Sequence, residues 1–435
     1  MKKNKKTYII VVTLFAIIAI FATSLLYDHP TEFIVVQESI TYAFPEETNI
    51  DYVIPISRPN VLVNQNGYEG TDTMLVLFQG SMVPDTFEVV DCETERVVYT
   101  GAILEYDQED VEEFTYYGDF SQLVQEGCYY IQADYIGCSY PFEIGSDIYE
   151  EMFKESYFST VEEMLNSSSL VEEVSMAITI LQAYEFYPTN FTDDTGILES
   201  GNKIPDIFDA MQEVIGQIEQ AYEDGITYPV EDQYIIAGFL AKYAYFYGEY
   251  NPEDASRYIT LAKSMWNDSH SREEVTIMSE YFASCELYRV TNLATYHTVV
   301  QEYSDISIST YDSNNIYKLF GDITYLSTTG SVDKTYCAKL MAERINRGIS
   351  IANEAEQNGG LKLADTVEQM CYHAYELMII DYILVSHEYQ NMVKDQLAYL
   401  GGANSEGVNY FDQIKTNPLF LMIMCDMVID VEVGN

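Results

Sequence analysis

Three patterns of hydrophobic and polar positions divide the chain. Residues 8–26 form a continuous apolar run, residues 59–147 contain short alternating segments between glycine or acidic turns, and residues 148–435 carry apolar stripes at helical spacing. The run is long enough to cross a bilayer as a helix, the alternation is typical of a β-sandwich, and the stripes predict amphipathic helices. Residues 28–58 mix prolines, acids and short apolar pieces without a period, which predicts a spacer.

Each zone predicts individual elements. The alternating segments predict strands at 61–64, 74–78, 87–91, 97–99, 114–117, 129–133 and 140–144. The stripes predict helices at 177–186, 207–218, 234–247, 254–266, 273–291, 335–353 and 367–385. Pro188 ends the first of these helices and Pro205 begins the second. Ser200-Gly201-Asn202 is therefore predicted to lie in a tight connection between two antiparallel helices, with Gly201 at positive φ.

The apolar run at residues 8–26 follows a lysine-rich tip at residues 1–6. A cleaved signal peptide has a shorter apolar core followed by small residues, whereas this run ends in Leu-Leu-Tyr-Asp, so an uncleaved anchor is favoured over a signal peptide. Lysines before the span place the N-terminus in the cytoplasm. We expect residues 1–27 to anchor a single-pass protein in the cell membrane, with the bulk of the chain outside the cell.

The balance of charge limits the partners. Acidic residues number 70 against 21 basic residues, which gives a formal net charge of -49. Such a surface repels phosphate backbones and anionic headgroups, so nucleic-acid binding is disfavoured and neutral or cationic partners are favoured. The sequence predicts no cofactor. Its acidity leaves calcium open, although no loop has the Asp/Asn and Gly spacing of an EF-hand.

Seven cysteines lie at positions 92, 128, 138, 285, 337, 371 and 425, without a Cys-x-x-Cys pair. This spacing indicates no zinc site. Cys128 and Cys138 flank a predicted hairpin, where they either pair in an oxidising compartment or remain buried free thiols. Free thiols are the favoured interpretation.

The motifs AYEFYP, FTDD and ESGNKIPDIFDA, within residues 183–210, resemble the beginning of the catalytic barrel of glycoside hydrolase family 9, a family of endoglucanases and related cellulases. VLVNQNGY, FEVVDCETERVVYTG and GCYYIQADYIGCSYPFEIG are similar to the immunoglobulin-like (Ig-like) module that precedes that barrel. LAYLGGANSEGVNY is similar to a family segment with the pattern Gly-x-Asn-x-x-Gly-x-x-Tyr, here Gly402, Asn404, Gly407 and Tyr410. The resemblance implies a multidomain chain, with an Ig-like β-sandwich at 59–147 followed by a shortened all-α toroid of the (α/α)6 type at 148–435.

The chain departs from the family in its catalytic motifs. Inverting hydrolysis needs a carboxylate that activates water and a carboxylic acid that protonates the leaving oxygen. In the family the base comes from an Asp-Ala-Gly-Asp motif before the helix that here reads AITILQAYEF, and this chain contains no such motif. The nearest acids are Glu162, Glu163, Glu172 and Glu173, whose spacing is typical of a solvated helix face.

The acid motif is also missing. In the family the proton donor belongs to an Asn-Glu pair before the final helix, whereas here Tyr410 leads almost directly into FDQIKTNPL. Glu406 and Asp412 are the nearby acids, and they are weak candidates for a displaced proton donor because their place in turns explains both.

Other residue types offer little chemistry. The apolar neighbours of Trp266 predict core packing rather than sugar stacking, and Asp206 and Asp209 are interpreted as structural residues at a helix start. His373 and His387 lack the spacing of a metal pair. Four tyrosines are candidates for lining a groove: Tyr243, Tyr245, Tyr247 and Tyr250.

Two functions remain open. The first is a membrane-anchored, extracellular, catalytically degenerate relative of cellulases that binds a polysaccharide or an enzyme of envelope polysaccharide metabolism. The alternative is an active endoglucanase-type glycoside hydrolase with a relocated acid and base. The joint absence of both motifs favours the first, because loss of either group costs several orders of magnitude in rate.

Overall fold

The computed structural model describes residues 58–106, 115–196, 201–272, 274, 276–357 and 360–428. None of the helices within these ranges is long and apolar enough to cross a membrane. The predicted anchor at 8–26 and nearly all of the predicted spacer lie outside the described residues.

The N-terminal domain is a β-sandwich, as the alternating pattern predicts. One sheet has the strand order β1-β3-β7-β6, and the other has the order β2-β10-β8-β4-β5 with β9 paired to β8. The strands are β1 Val61–Leu62, β2 Tyr68–Glu69, β3 Leu75–Phe78, β4 Thr86–Asp91, β5 Val97–Ala102, β6 Leu104–Glu105, β7 Tyr116–Asp119, β8 Gly127–Ala133, β9 Gly137–Cys138 and β10 Phe142–Gly145. Inward-facing residues of both sheets, among them Val76, Phe87 and Ile131, form one apolar core.

All seven cysteines are free, as favoured from the sequence, but Cys138 is exposed rather than buried and Cys128 lies beside a different cysteine. Cys128 lies at the start of β8 beside Cys92, just after β4, and their Sγ atoms are 2.6 Å apart. Cys138 is exposed on β9 and is paired in register with Gln132 instead. Antiparallel pairing of β4 with β8 brings together two cysteines that are far apart in sequence, and the hairpin spacing does not reveal this.

The first helix begins at Ile148, and two residues separate it from the end of the last strand at Gly145. The helices are α1 Ile148–Asn166, α2 Leu170–Phe186, α3 Asp206–Glu223, α4 Val230–Tyr247, α5 Pro252–His270, α6 Ile277–Thr291, α7 Ala294–Glu302, α8 Ile316–Ser327, α9 Lys334–Gln357, α10 Val367–Leu384, α11 Gln390–Leu400, α12 Phe411–Ile414 and α13 Pro418–Met427, with a 3-10 turn at Pro188–Asn190. The predicted helices are all present, and α6 begins later than its apolar stripe suggested.

In the described part of the chain, α2, α4, α6, α8, α10 and α13 form an inner ring, and the other long helices pack outside it. The ring closes between α8 and α10 through Phe320 and Tyr375, whose ring centroids are 6.1 Å apart. Inner helices are apolar on nearly every side, as a fully buried helix must be; every residue of α13 from Leu419 to Met427 is buried. The helical toroid implied by the resemblance is therefore confirmed.

An outer helix separates successive inner helices in sequence, so the inner helices run parallel. We call the end where they begin the amino end of the barrel and the end where they finish the carboxyl end. The ring stack between Phe186 of α2 and Tyr382 of α10, with centroids 4.2 Å apart, lies at the carboxyl end. The two ends are lined by different residues.

The connection before α3 is held by polar side chains. Gly201 has φ +96°, as predicted for this turn. The Asp193 carboxylate accepts from the backbone N–H groups of Gly201 and Asn202. Asp206 is fully buried and accepts a hydrogen bond of 2.8 Å from the Thr195 backbone N–H, which fixes the start of α3. Its structural role is as predicted.

The sandwich packs along the side of the barrel. The Gln65 backbone N–H donates to the Gly401 carbonyl at 2.9 Å, and the Asn409 side chain donates to Asn66 at 2.6 Å. Gly402 has φ +120°, and a Cβ at this position would overlap the Gln65 side chain. The glycine pair in the LAYLGGANSEGVNY segment is therefore required by close approach of the sandwich.

Candidate functional site

The amino end is where the resemblance places the catalytic loops, before α2 and before α13. Only residues 167–169 connect α1 to α2. A connection of this length has no room for a loop that carries a general base.

The four acids near this connection have different surroundings. Glu162, Glu163 and Glu172 are exposed, as predicted for a solvated face. Glu173 differs from that prediction: it is 5% exposed and accepts a hydrogen bond of 2.9 Å from Gln217 of the outer helix α3. Burial raises the pKa of Glu173, and the Gln217 bond partly offsets that rise. Its carboxylate therefore ties an inner helix to an outer one.

Glu406 and Asp412, the weak proton-donor candidates, both lie on the surface. The Tyr410 hydroxyl donates to Glu406 at 2.9 Å. Asp412 forms an ion pair of 2.7 Å with Lys415, and its side chain is 86% exposed. Both carboxylates are therefore accessible to solvent and are not enclosed in a buried site.

Asn404, in the same segment, has a structural role. Its amide donates to the carbonyl oxygens of Tyr399 and Val408 at 2.7 and 2.8 Å. Its side-chain oxygen accepts from the backbone N–H groups of Glu406 and Val408, both at 3.1 Å. The Gly-x-Asn-x-x-Gly-x-x-Tyr pattern therefore specifies a turn that rests on the sandwich.

The aromatic candidates divide by burial. Trp266 is 1% exposed and donates to Ser284 Oγ at 3.0 Å, so its predicted place in the core is confirmed. Tyr243 and Tyr247 are buried, whereas Tyr245 and Tyr250 are partly exposed. The four tyrosines therefore do not line one groove.

The two histidines also differ. His373 is buried, with Nδ1 2.7 Å from the Leu363 carbonyl and Nε2 2.8 Å from the Arg347 guanidinium. Burial lowers its pKa. His387 is exposed beyond the end of α10. Within the described ranges no group of three or more His, Cys, Asp or Glu side chains is arranged to hold a metal ion.

The carboxyl end contains a buried network of charges. Lys242 of α4 is fully buried and lies 2.7 Å from Glu185 of α2 and 3.2 Å from Glu286 of α6. Arg289 of α6 lies 2.6 Å from Glu185 and 2.5 Å from Glu286. Burial alone would raise the pKa of Glu185, but Arg289 and Lys242 outweigh it and hold the pKa at about 2. Two cations and two carboxylates thus neutralise one another inside the ring.

Beside this network is a cavity of about 600 Å³. It lies among the ends of α2, α8, α10 and α13, and its polar lining includes Tyr187, Asp381, His387 and Asp426. The sequence singles out only His387 among these residues, because the others are far apart in sequence and form no motif with one another. Their shared position, at or just beyond the ends of inner helices, is apparent only once the ring is known.

Residues 57–137 match the family described as "Cellulase N-terminal ig-like domain". A segment of 69 residues is 39% identical to Endoglucanase D of Acetivibrio thermocellus, which covers 16% of this chain and 11% of that protein. The match therefore spans about a tenth of the relative's length. The N-terminal domain is therefore similar to the Ig-like domain of cellulases.

Solved structures extend the comparison to the barrel. A metagenome-derived family 9 endoglucanase superposes with a TM-score of 0.70 at 18% identity, over 80% of this chain and 84% of that one. A Bacteroides ovatus family 9 protein gives 0.66 at 14% identity over 81% and 86%. A thermostable endoglucanase of Alicyclobacillus acidocaldarius gives 0.66 at 15% identity over 81% and 84%. The resemblance to glycoside hydrolase family 9 is confirmed.

Proposed function

We propose that this family 9-like protein binds a polysaccharide without cleaving it. The membrane anchor at residues 8–26 holds it at the cell surface, with the sandwich and barrel outside the cell. Its partners are an envelope polysaccharide or an enzyme that makes or remodels one.

One observation carries the proposal: the acids of the shortened amino-end loops are engaged elsewhere. Glu173 bonds to Gln217, Glu406 accepts from Tyr410 and Asp412 pairs with Lys415. Hydrolysis requires an acid and a base placed on opposite sides of a sugar ring. Structural bonds of this kind explain why these carboxylates persist without a catalytic role.

Composition supports the choice of ligand. The net charge of -49 disfavours polyanionic glycans and nucleic acids and favours neutral or cationic ones. The Ig-like domain and barrel match proteins whose names describe endoglucanases, which supports a glycan rather than a peptide as the ligand.

Affinity electrophoresis of the full chain, in mild detergent, tests this function. Gels containing β-1,4-glucan, mixed-linkage glucan, xylan or chitosan should retard the protein in at least one case, while the recovered polysaccharide keeps its length. Albumin run beside it controls for non-specific retardation. Normal migration in every gel would refute glycan binding, and shortened polysaccharide would support the alternative of an active hydrolase.

A further inference from the structure

The cavity at the carboxyl end lies at the opposite end of the barrel from the family's catalytic loops. It falls within the range of volumes that small-molecule sites occupy. Its walls combine apolar residues such as Ile323 and Leu326 with the carboxylates of Asp381 and Asp426. A mixed lining of this kind can enclose a ring while orienting it through polar groups.

Asp426 has unused capacity to bind a ligand. The residue is 8% exposed and lines the cavity. Its Oδ1 accepts a hydrogen bond of 2.9 Å from the Tyr187 hydroxyl. Among the residues that the structure describes, no donor contacts its Oδ2. Because Oδ2 is accessible from the cavity rather than sealed in the core, it can accept a hydrogen bond from a ligand that enters.

Asp381 holds the loop after α10 in place. Its carboxylate accepts from Ser386 Oγ at 2.9 Å and from the backbone N–H groups of Glu388 and Tyr389 at 3.0 and 2.9 Å. These bonds fix the loop after α10, which forms the mouth of the cavity. In that loop Val385 is 92% exposed at φ +49°, a backbone conformation that β-branched residues rarely adopt.

The charges of the lining favour a cation. Burial raises the pKa of both aspartates, and the negative charge of Asp381 raises that of Asp426 further. His387 also lines the cavity and lowers the pKa of both aspartates, but no lysine or arginine is found among the described residues of the lining. A ligand that carries a positive charge would relieve this repulsion, and a neutral hydroxyl would not.

An aromatic face completes the site. Tyr382 is 44% exposed and lines the cavity, while Phe186 stacks against it. Phe186 already holds one face of the Tyr382 ring. This ring would therefore lose little conformational freedom when a ligand packs against its other face. Tyrosine faces accept both the apolar face of a sugar and a nearby cation.

We propose that this cavity binds an amino-sugar unit, with its ammonium group donating to Asp426 Oδ2 and its ring against Tyr382. This inference rests on the proposed glycan binding and specifies its ligand. The ammonium group would donate to the accessible oxygen of Asp426, and the sugar ring would cover the exposed face of Tyr382.

Isothermal titration of the full chain in mild detergent tests the proposal. The probes are a β-1,4-linked glucosamine tetramer, its N-acetylated counterpart, cellotetraose and ethanolamine. We expect the glucosamine tetramer to bind at least tenfold more tightly than the other three. Asp426→Asn should weaken it at least tenfold and Tyr382→Ala several-fold. Asp305→Asn, which removes a fully exposed carboxylate, should change affinity less than twofold.

The outcomes separate this inference from the function on which it rests. Equal or tighter binding of cellotetraose would overturn the amino-sugar assignment and leave glycan binding standing. If ethanolamine, which has an ammonium group but no ring, binds as tightly as the glucosamine tetramer, the proposed contact between the sugar ring and Tyr382 would be overturned. Unchanged affinity in Asp426→Asn, with an unaltered melting curve, would overturn the location. No binding of any tetramer, together with normal migration in every polysaccharide gel, would overturn both.

A second, independent observation concerns the sandwich. The Cys92 backbone N–H donates to the Cys128 carbonyl at 3.0 Å, and their Sγ atoms are in direct contact. We infer that these thiols form a disulfide when the domain folds outside the cytoplasm. The two thiols lose their protons and give two electrons to the disulfide of an oxidised thiol–disulfide oxidoreductase, which becomes a dithiol.

Peptide mapping of the full chain after export, with free thiols alkylated before digestion, tests this pairing. A Cys92–Cys128 linked peptide is expected, with Cys138 alkylated. Cys92→Ser should leave Cys128 alkylated, whereas Cys138→Ser should leave the linked peptide unchanged. Alkylation of both Cys92 and Cys128 in the exported parent protein would overturn the inference.

Discussion

The amino and carboxyl ends of the barrel differ in their polar residues, although the same six inner helices of the described chain form both ends. At the amino end, only three residues connect α1 to α2, and acids near this end take part in structural bonds, such as Glu173 with Gln217. At the carboxyl end, Lys242, Arg289, Glu185 and Glu286 form a buried charge network beside an open cavity. The comparison teaches that a toroid can keep its scaffold while polar chemistry is concentrated away from the end where family resemblance predicts it.

The physical reason lies in what holds each end. A buried ion pair repays its desolvation only with good geometry and further hydrogen bonds. Lys242 has these, because Gln182 also bonds to its ammonium group at 3.1 Å. Amino-end acids such as Asp412 are solvated, and their pairs contribute little. Substitutions at the two ends should therefore differ sharply in effect.

The largest effect is expected for Lys242→Met. It leaves Glu185 and Glu286 with one fewer cation in a buried site and should reduce the free energy of unfolding by about 3–5 kcal/mol. Urea unfolding followed by circular dichroism measures this. Lys415→Met, at the amino end, serves as the control and should leave the unfolding midpoint close to that of the parent. Similar losses in the two variants would remove the contrast between the ends.

Asn404→Ala probes how the amino-end turn is held. The change removes the hydrogen bonds of this side chain to the backbone of Tyr399, Glu406 and Val408, so stability should fall by about 2–3 kcal/mol. Gln413→Ala, an exposed change nearby, should stay within about 0.5 kcal/mol of the parent. If Asn404→Ala unfolds at the same urea concentration as Gln413→Ala, the turn does not depend on this side chain.

A smaller, pH-dependent effect is expected where the sandwich meets α11. Burial raises the pKa of Asp395 to about 7, and the nearby Asp72 adds to the rise. Because the folded pKa lies above the unfolded one, the stability that the neutral carboxyl provides is full below about pH 4 and is lost as pH rises through 7. Because asparagine stays neutral at every pH, the Asp395→Asn variant should not lose this stability as pH rises.

Thermal melts of Asp395→Asn and the parent from pH 4 to 8 test that sign. The variant's advantage should grow with pH and reach about 1–3 kcal/mol at pH 8. Asp305→Asn, an exposed carboxylate, should show no such trend. If the stability advantage of Asp395→Asn over the parent shrinks between pH 5 and 8, the raised pKa of Asp395 would be contradicted.

Sequence patterns predicted the fold more completely than the site. Period-two alternation located the longer strands, and apolar stripes with Pro188 and Pro205 located seven of the helices but not α1, α7, α8 or α11. Two-residue strands such as Tyr68–Glu69 were missed because alternation needs more positions to be recognised. The contact between Cys92 and Cys128 and the meeting of Tyr187 with Asp426 depend on packing between distant segments, which local patterns do not encode.

The central claim, that the amino end has lost hydrolysis, is tested most directly by assaying the full chain for release of reducing ends. Substrates are β-1,4-glucan, xylan and mixed-linkage glucan, with an active family 9 endoglucanase as the positive control. We predict no release above that of heat-denatured protein. Release that is abolished by Glu406→Ala or Asp412→Ala would contradict the claim and establish a relocated acid.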